Sequence, residues 1–508
     1  MGIPSYYRKL IHVVPGLVSS ERHEVAWLFM DFNCLIYHCI PNVLCSNFEQ
    51  GLIEEVVRYT KEVVAEIAPS QGVYIAIDGV VPMAKMRQQR LRRFKSVWEK
   101  ARVLHALPEP PVAEKNHVKR DSLEPPVAEK AHVKPKPEDS PEQPIKWDTN
   151  AITPGTVFMS KLATALQIVC DENGWTLSSA EEPSEGEHKV LSQWRTGLYK
   201  QRDIAVYGMD ADLIVLSLLG QTQNDLGAIW LFREGDVGFE WFSIDLLKTW
   251  LTSGRFPNFI LSYCFAMSVL GNDFLPSSLG LKMRDGGHDE LLRYLINPLI
   301  LDYKIIEENL LELFRALSQF EPHRVAKYIN TKQRMAQHAT DLGLGENNWP
   351  LSQIEQGLVG SHWASAYWKL IDGEPVDICC EYLKGIRWIW DYYTTGSVCY
   401  NWFYPYVLPP LWATLALSGQ IAILRTSMPP CIRAEEISTV QQLSLVLPLQ
   451  SWSLLPDCPE KRFPALAPQF FPSSFEFESI GKRFWWECEC LIPIPTIMEL
   501  KALYCVHD

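Results

Sequence analysis

No Cys-x-x-Cys pair occurs in this chain, although it holds 13 cysteines. Cys379-Cys380 and Cys488-x-Cys490 lack the partner spacing of a structural zinc site. An odd number of thiols in a long chain without an export signal is not a disulfide framework, so free, mostly buried thiols are expected. The apolar stretch from Phe259 to Leu270 is too short to span a bilayer. The amino terminus, MGIPSYYRKL, lacks the apolar centre of a signal peptide. Tyr6 stands where N-myristoylation wants Ser or Thr. An intracellular protein without a membrane anchor is expected, and cytoplasm is the expected compartment because no strong basic nuclear signal stands outside residues 85–100. Surplus positive charge is also missing. The formal net charge is −13, which argues against non-specific coating of nucleic acid but leaves room for a local basic pocket.

What is present is a chain of 508 residues with 47% hydrophobic and 21% charged composition, enough for a large core and two or three domains. The interval 103–146 breaks the globular pattern. It is rich in Pro, Glu and Lys, and EPPVAEKNHVK at Glu109–Lys119 recurs as EPPVAEKAHVK at Glu124–Lys134. Two copies are too few for a solenoid. Such a composition buries too little surface to offset ordering entropy, so a disordered insertion is expected. Slippage duplication in a tolerant loop accounts for the repeat, and protein docking is its functional alternative. The stretch from Thr153 to Asn173 reads as a helix with Pro154 in its first turn. Helix and strand alternate to about Leu301, and IIEENLLELFRALSQF has helical spacing. The expected organisation is an α/β domain over 1–301, a helical connector over 302–348 and a second, aromatic-rich portion over 349–508.

Seven carboxylates stand out: Asp31 in FMDFN, Asp78 in IAIDG, Glu185 and Glu187 in SEGEHK, Asp210 and Asp212 in YGMDADL, and Asp273 in GNDFLP. VAWLFM, GVYIAI and IAVYGM precede Asp31, Asp78 and Asp210. Each is a short apolar run of the kind buried on both faces of a parallel sheet. Each ends in an acid at what would be the strand's carboxyl edge, where open α/β sheets bind ligands. A single strand-terminal Asp more often caps a helix or starts a turn. Three of them at one edge repel one another unless a divalent cation is bound.

KMRQQRLRRFKSVWEK, Lys85 to Lys100, carries seven cations against Glu99 and contains no Gly or Pro, so a helix is predicted. Lys85, Gln89, Arg92 and Arg93 fall on one stripe, a spacing suited to gripping phosphate. The usual fate of such a run is a solvated face. Asp78, seven residues before Lys85, holds this one near the acids.

These residues resemble the XRN family of 5′→3′ exoribonucleases. MGIPSYYRKL, FMDFNCLIYH, DGVVPMAKMRQQR, ITPGT, SEGEHK, YGMDADL and LGNDFLP carry the resemblance. It continues through YLKGIRWIWDYY, NWFYPY, QQLSLVLP and FEFESIGKRFWWECECLIP, most of the chain apart from the insertion. It implies a mostly parallel central sheet flanked by helices, a PIN/FEN-like nuclease domain. A second, mainly helical and aromatic-rich portion would pack on it. The family's metal ligands match Asp31, Asp78, Glu185, Glu187, Asp210, Asp212 and Asp273. Its 5′-phosphate pocket matches Lys85, Gln89, Arg92 and Arg93. The implied reaction is hydrolysis of single-stranded RNA bearing a 5′-monophosphate, with two Mg²⁺ ions for which Mn²⁺ can substitute. Lys85 would also stabilise charge on the scissile phosphate. A minimal catalytic core acting as a monomer is expected.

Departures from the family pattern fall around the substrate. Ser184 stands where the family has Gly, and Cys34 replaces a Gly. Tyr37 stands where the family has a base-stacking His, with His38 next to it. The usual Ser-Trp-Ser-Trp motif reads Cys399-Tyr400-Asn401-Trp402. Tyr37, Tyr400 and Trp402 are therefore the expected stacking residues, while Trp388 is expected to be core. Competing readings are a flap-type endonuclease or DNA exonuclease, disfavoured by DGVVPMAKMRQQR, and an inactive RNA-binding scaffold, disfavoured because no carboxylate is missing.

Overall fold

The apolar runs identified above are the inner strands of one sheet. The computed structural model describes residues 3, 5–104, 147–236, 238–336, 363–424, 431–478, 480–482 and 487–505. Most of the 103–146 insertion and the 349 boundary lie outside them. The strands are β1 (Val18–Ser19), β2 (Trp27–Asp31), β3 (Gly72–Ala76), β4 (Thr176–Ser178), β5 (Ile204–Tyr207), β6 (Ile229–Glu234) and β7 (Phe239–Ser243). Their spatial order is β1-β7-β6-β5-β2-β3-β4. The pairs β2–β3, β2–β5, β3–β4 and β5–β6 are parallel, and β7 runs antiparallel to β6 and β1. From β2 the chain moves outward through β3 to β4, then returns to the other side of β2 for β5 and β6. The order reverses between β2 and β5, and there the helices leave in opposite directions and open a crevice.

Side chains alternate across this sheet with the two-residue period of a strand. Leu28, Met30, Val73, Ile75 and Ala205 pack on one face and Phe29, Tyr74, Ile204 and Val206 on the other. The first face is covered by α1 (Asn33–Cys39), α2 (Phe48–Ile67) and α4 (Val157–Asn173). The second is covered by α5 (Gly186–Arg195), α6 (Asp212–Asn224) and α7 (Phe259–Met267), and beyond them by α8 (Glu307–Ser318), α9 (Pro375–Thr395) and α10 (Trp412–Leu424). This mostly parallel sheet between helices, with a helical, aromatic-rich portion packed on it, is the expected fold class.

Helix α3 (Met83–Leu104) includes the whole basic run and packs on the carboxyl-terminal segment through Met83, Met86, Leu91 and Phe94. Helix α4 begins at Val157, four residues later than the sequence suggests. Gly155 has φ +90°, which a helix cannot include, and the Thr156 hydroxyl caps the helix by accepting from the Met159 N–H at 3.3 Å. The described cysteines are free thiols, most of them buried. No described helix is long and apolar enough to cross a membrane.

Candidate active site

Register brings the acids level. Asp31 ends β2 opposite Ala76 of β3, two residues before Asp78. Met30 lies opposite Tyr207 of β5, three residues before Asp210. Asp78 is fixed by Asn33, which donates to its Oδ2 at 2.9 Å and accepts from its N–H at 3.2 Å. The Gly186 N–H donates to Asp78 Oδ1 at 2.7 Å, which brings the amino terminus of α5 over the ends of β2 and β3. A Cβ at Gly186 would lie 2.6 Å from Asp31 Oδ1, so only glycine permits this approach. Glu185 precedes the first residue of α5 and Glu187 lies in its first turn, where the helix dipole favours negative charge. Carboxylate oxygens of Asp31, Asp78 and Glu187 lie within 4.8 Å of one another, and so do ligand atoms of Glu185, Glu187 and His188.

Electrostatics ties in the remaining acids. Burial, then the charges of Asp78, Asp210 and Asp212, push Asp31 well above the usual carboxylate range. Burial, then Glu185 and Asp31, do the same to Glu187. Burial and then Asp210 raise Asp212 to about 7. Lys85 stands against this repulsion, its Nζ 2.6 Å from Glu185 and 2.9 Å from Asp273. Burial disfavours ionisation of Asp273, but Lys85 prevails and holds it below its ordinary value. All seven acids thus meet in one neighbourhood.

The cations of α3 divide by helix face. Arg90 is buried and donates to the carbonyls of Leu445, at 2.8 Å, and Phe470. Lys95 donates to the Cys488 carbonyl at 3.0 Å, and Arg87 pairs with Glu489 at 3.4 Å. These three hold the helix to the carboxyl-terminal segment. The predicted phosphate stripe is not uniform. Lys85 is turned to the acids, Gln89 and Arg93 are buried, and Arg92 is exposed. Arg93 donates to Thr153 Oγ1 at 2.8 Å, while its other terminal nitrogen and Gln89 Oε1 have no hydrogen-bond partner among the described residues.

The three candidate stacking rings also differ. Tyr37, on α1, is 44% exposed and close enough to Arg93 to act on its charge. Tyr400 and Trp402 are interior, at 5% and 3%. Tyr400 is fixed through its backbone, accepting from the Met83 N–H at 2.8 Å and donating to the Ile432 carbonyl at 3.0 Å, and through a side-chain bond to Ser184. Trp402 packs 5.2 Å from Trp388 and donates to Glu381 at 3.3 Å. Neither presents a free ring face here. Trp388 is buried, as expected of core.

Three supporting residues escaped the sequence reading. Asn33 orients Asp78. Tyr392 donates to Glu185 Oε1 at 2.9 Å, and His188 stacks on the Tyr392 ring at 3.6 Å. FMDFN placed Asn33 next to a candidate acid, the one signal available. Tyr392 sits on the apolar face of α9, where sequence cannot separate it from core.

Two family models match the chain. Residues 1–232 match the model of the XRN 5′-3′ exonuclease N-terminus, and residues 369–504 match that of the Xrn1 helical domain. Among curated relatives, the 5′-3′ exoribonuclease 2 of Yarrowia lipolytica is 30% identical over 58% of this chain and 35% of its own length. That of Debaryomyces hansenii is 28% identical over 61% and 37%. The human 5′-3′ exoribonuclease 1 is 25% identical over 97% of this chain and 33% of its own. The chain therefore spans about a third of the length of these relatives. With both family regions matched in order, the first of them holding six of the seven carboxylates, the chain belongs to the XRN family.

Proposed function

We propose that this chain is a metal-dependent 5′→3′ exoribonuclease that removes nucleoside 5′-monophosphates from single-stranded RNA bearing a 5′-monophosphate. The observation that carries this reading is the convergence of seven carboxylates beside a partly unsatisfied cationic stripe. The residues fit divalent cations. They offer hard oxygen donors, they raise one another's proton affinity, and Asp212 Oδ1 is buried without a hydrogen-bond partner among the described residues. Asp31, Asp78, Glu185, Glu187, Asp210, Asp212 and Asp273 would hold two Mg²⁺ or Mn²⁺ ions. Bound there, such ions supply an activated water and charge stabilisation at the leaving oxygen.

The chain's own groups do the rest. Arg92, Arg93 and Gln89 receive the terminal phosphate, the buried Arg93 nitrogen and Gln89 Oε1 being unsatisfied without one. Lys85 neutralises Glu185 and Asp273 and lies where it can oppose charge on the scissile phosphate. Tyr37 offers a ring for base stacking, and Tyr392 fixes the orientation of Glu185. A division near residue 301, cytoplasmic location and docking through 103–146 belong to the same reading.

Degradation of 5′-monophosphate, 5′-hydroxyl, triphosphate and capped RNA, with matching DNA, tests the reading. The 5′-monophosphate RNA should be consumed from its 5′ end, and Asp210→Asn should bind it without cleaving it. Equal rates on all 5′ ends, or wild-type turnover by Asp210→Asn in Mg²⁺, would overturn it.

A further inference from the structure

Two thiols meet beside Tyr400. Cys399 opens the Cys399-Tyr400-Asn401-Trp402 motif between α9 and α10, and Cys431 lies beyond α10. Two hydrogen bonds tie these segments together. The Tyr400 N–H donates to the Ile432 carbonyl at 3.0 Å, and the Ile432 N–H donates to Asn401 Oδ1 at 3.3 Å. Chains joined by backbone bonds run roughly 4.7–4.9 Å apart, and a disulfide spans Cα atoms roughly 4.4–6.8 Å apart. Both sulfurs sit at this junction. Cys399 Sγ donates to Asn401 Oδ1 at 2.8 Å, and Cys431 Sγ donates to the Val398 carbonyl at 3.8 Å. The two thiols also share a hydrogen bond with each other. The Trp388 indole N–H donates to the Cys399 carbonyl at 2.9 Å and fixes the backbone that carries the inner thiol.

The pair is asymmetric. Cys431 is exposed and Cys399 is buried. Burial, and then Cys431, push the Cys399 thiol up to about 11, so it stays protonated near neutrality while Cys431 is open to a dissolved oxidant.

We propose that Cys399 and Cys431 are a reversible oxidation site, closing to an intramolecular disulfide when the chain meets a hydroperoxide. The Cys431 thiolate attacks one peroxide oxygen and the O–O bond breaks, leaving Cys431 as a sulfenic acid and releasing water. Cys399 Sγ then gives up its proton and attacks Cys431 Sγ. The S–S bond forms, the S–O bond breaks, and hydroxide leaves with that proton as a second water. Two thiols lose two electrons and the peroxide gains them. The pair needs neither metal nor RNA.

The full chain treated with hydrogen peroxide, alkylated and digested without reductant tests this by peptide mass mapping. The peptides carrying Cys399 and Cys431 should appear joined, two hydrogens lighter than their sum, and should separate with dithiothreitol. In Cys431→Ser, checked for a wild-type melting temperature, the joined peptide should vanish and Cys399 should stay reduced. A Cys431 that passes to sulfinic acid beside a reduced Cys399, a link from either residue to another cysteine, survival of both thiols, or oxidation of Cys399 in folded Cys431→Ser would overturn the proposal.

Discussion

The Tyr392 hydroxyl donates to Glu185 Oε1 at 2.9 Å across 207 residues of sequence. A side chain of the helical portion thereby orients a carboxylate at the sheet edge. Groups that orient metal ligands typically contribute about 10–100-fold in metal affinity or activity. Tyr392→Phe should therefore lower RNA degradation about tenfold and move the Mg²⁺ activation curve to higher concentration, with little change in melting temperature because the ring remains. An unchanged Mg²⁺ curve would show the bond to be structural alone.

Lys85 and Arg92 should part company when truncated. Lys85 is held between Glu185 and Asp273, and removing one member of a buried pair costs about 3–5 kcal/mol. Lys85→Ala should lower the melting temperature in EDTA, with partial recovery in Mg²⁺. Arg92 is exposed, so Arg92→Ala should leave stability unchanged yet lose the preference for 5′-monophosphate over 5′-hydroxyl RNA. A charge-assisted bond contributes about 1.5–3 kcal/mol, which is roughly 10–100-fold in that preference. Full discrimination by Arg92→Ala would remove it from the phosphate site.

Ser184 has φ +101°, a backbone region that L-residues rarely adopt. It is held there by the Ser184 N–H to Val80 carbonyl bond at 2.7 Å and the Gly79 N–H to Ser184 carbonyl bond at 2.8 Å. Such strain costs on the order of 1–3 kcal/mol. Ser184→Gly, the residue the family pattern leads one to expect, should raise stability by about 1 kcal/mol, read as a higher urea midpoint at unchanged slope. A midpoint that falls would show that the side-chain bond to Tyr400 outweighs the strain.

Glu321 accepts the N–H groups of Trp412 and Ala413 at 3.0 and 3.3 Å from a fully buried position. Burial raises it from 4.5 to about 7, with those N–H bonds and Arg324 pulling the other way. A carboxyl raised by folding contributes stability that is fully present below its unfolded value and lost as pH rises through the folded one. Relative to Glu321→Gln, the wild type should lose on the order of 3 kcal/mol between pH 4.5 and pH 8. Melting curves that stay parallel across that range would refute the shift.

Tyr37 is the candidate stacking ring with an exposed face. Base stacking contributes about 1–3 kcal/mol, so Tyr37→Ala should slow degradation about tenfold at nearly unchanged melting temperature, and Tyr37→His should retain activity. Undiminished rate and processivity in folded Tyr37→Ala would show that the ring does not touch RNA.

Sequence alone determined the three inner strands β2, β3 and β5, the helix over Lys85–Lys100 and which acids follow those strands at the sheet edge. Those are local matters: an apolar run with a terminal Asp is legible wherever it lies. It could not say that Lys85 would face Glu185 and Asp273 while Arg90 and Lys95 hold distant carbonyls. Helical spacing shows which residues share a face, but what meets that face depends on segments hundreds of positions away. The same limit concealed Tyr392, whose hydroxyl acquires a role only when α9 packs over α5. It also left the burial of Tyr400 and Trp402 open, because an aromatic ring reads alike whether it fills a core or waits for a base. Tertiary packing decided those points by choosing the partner of each polar atom, a choice no spacing along one chain encodes.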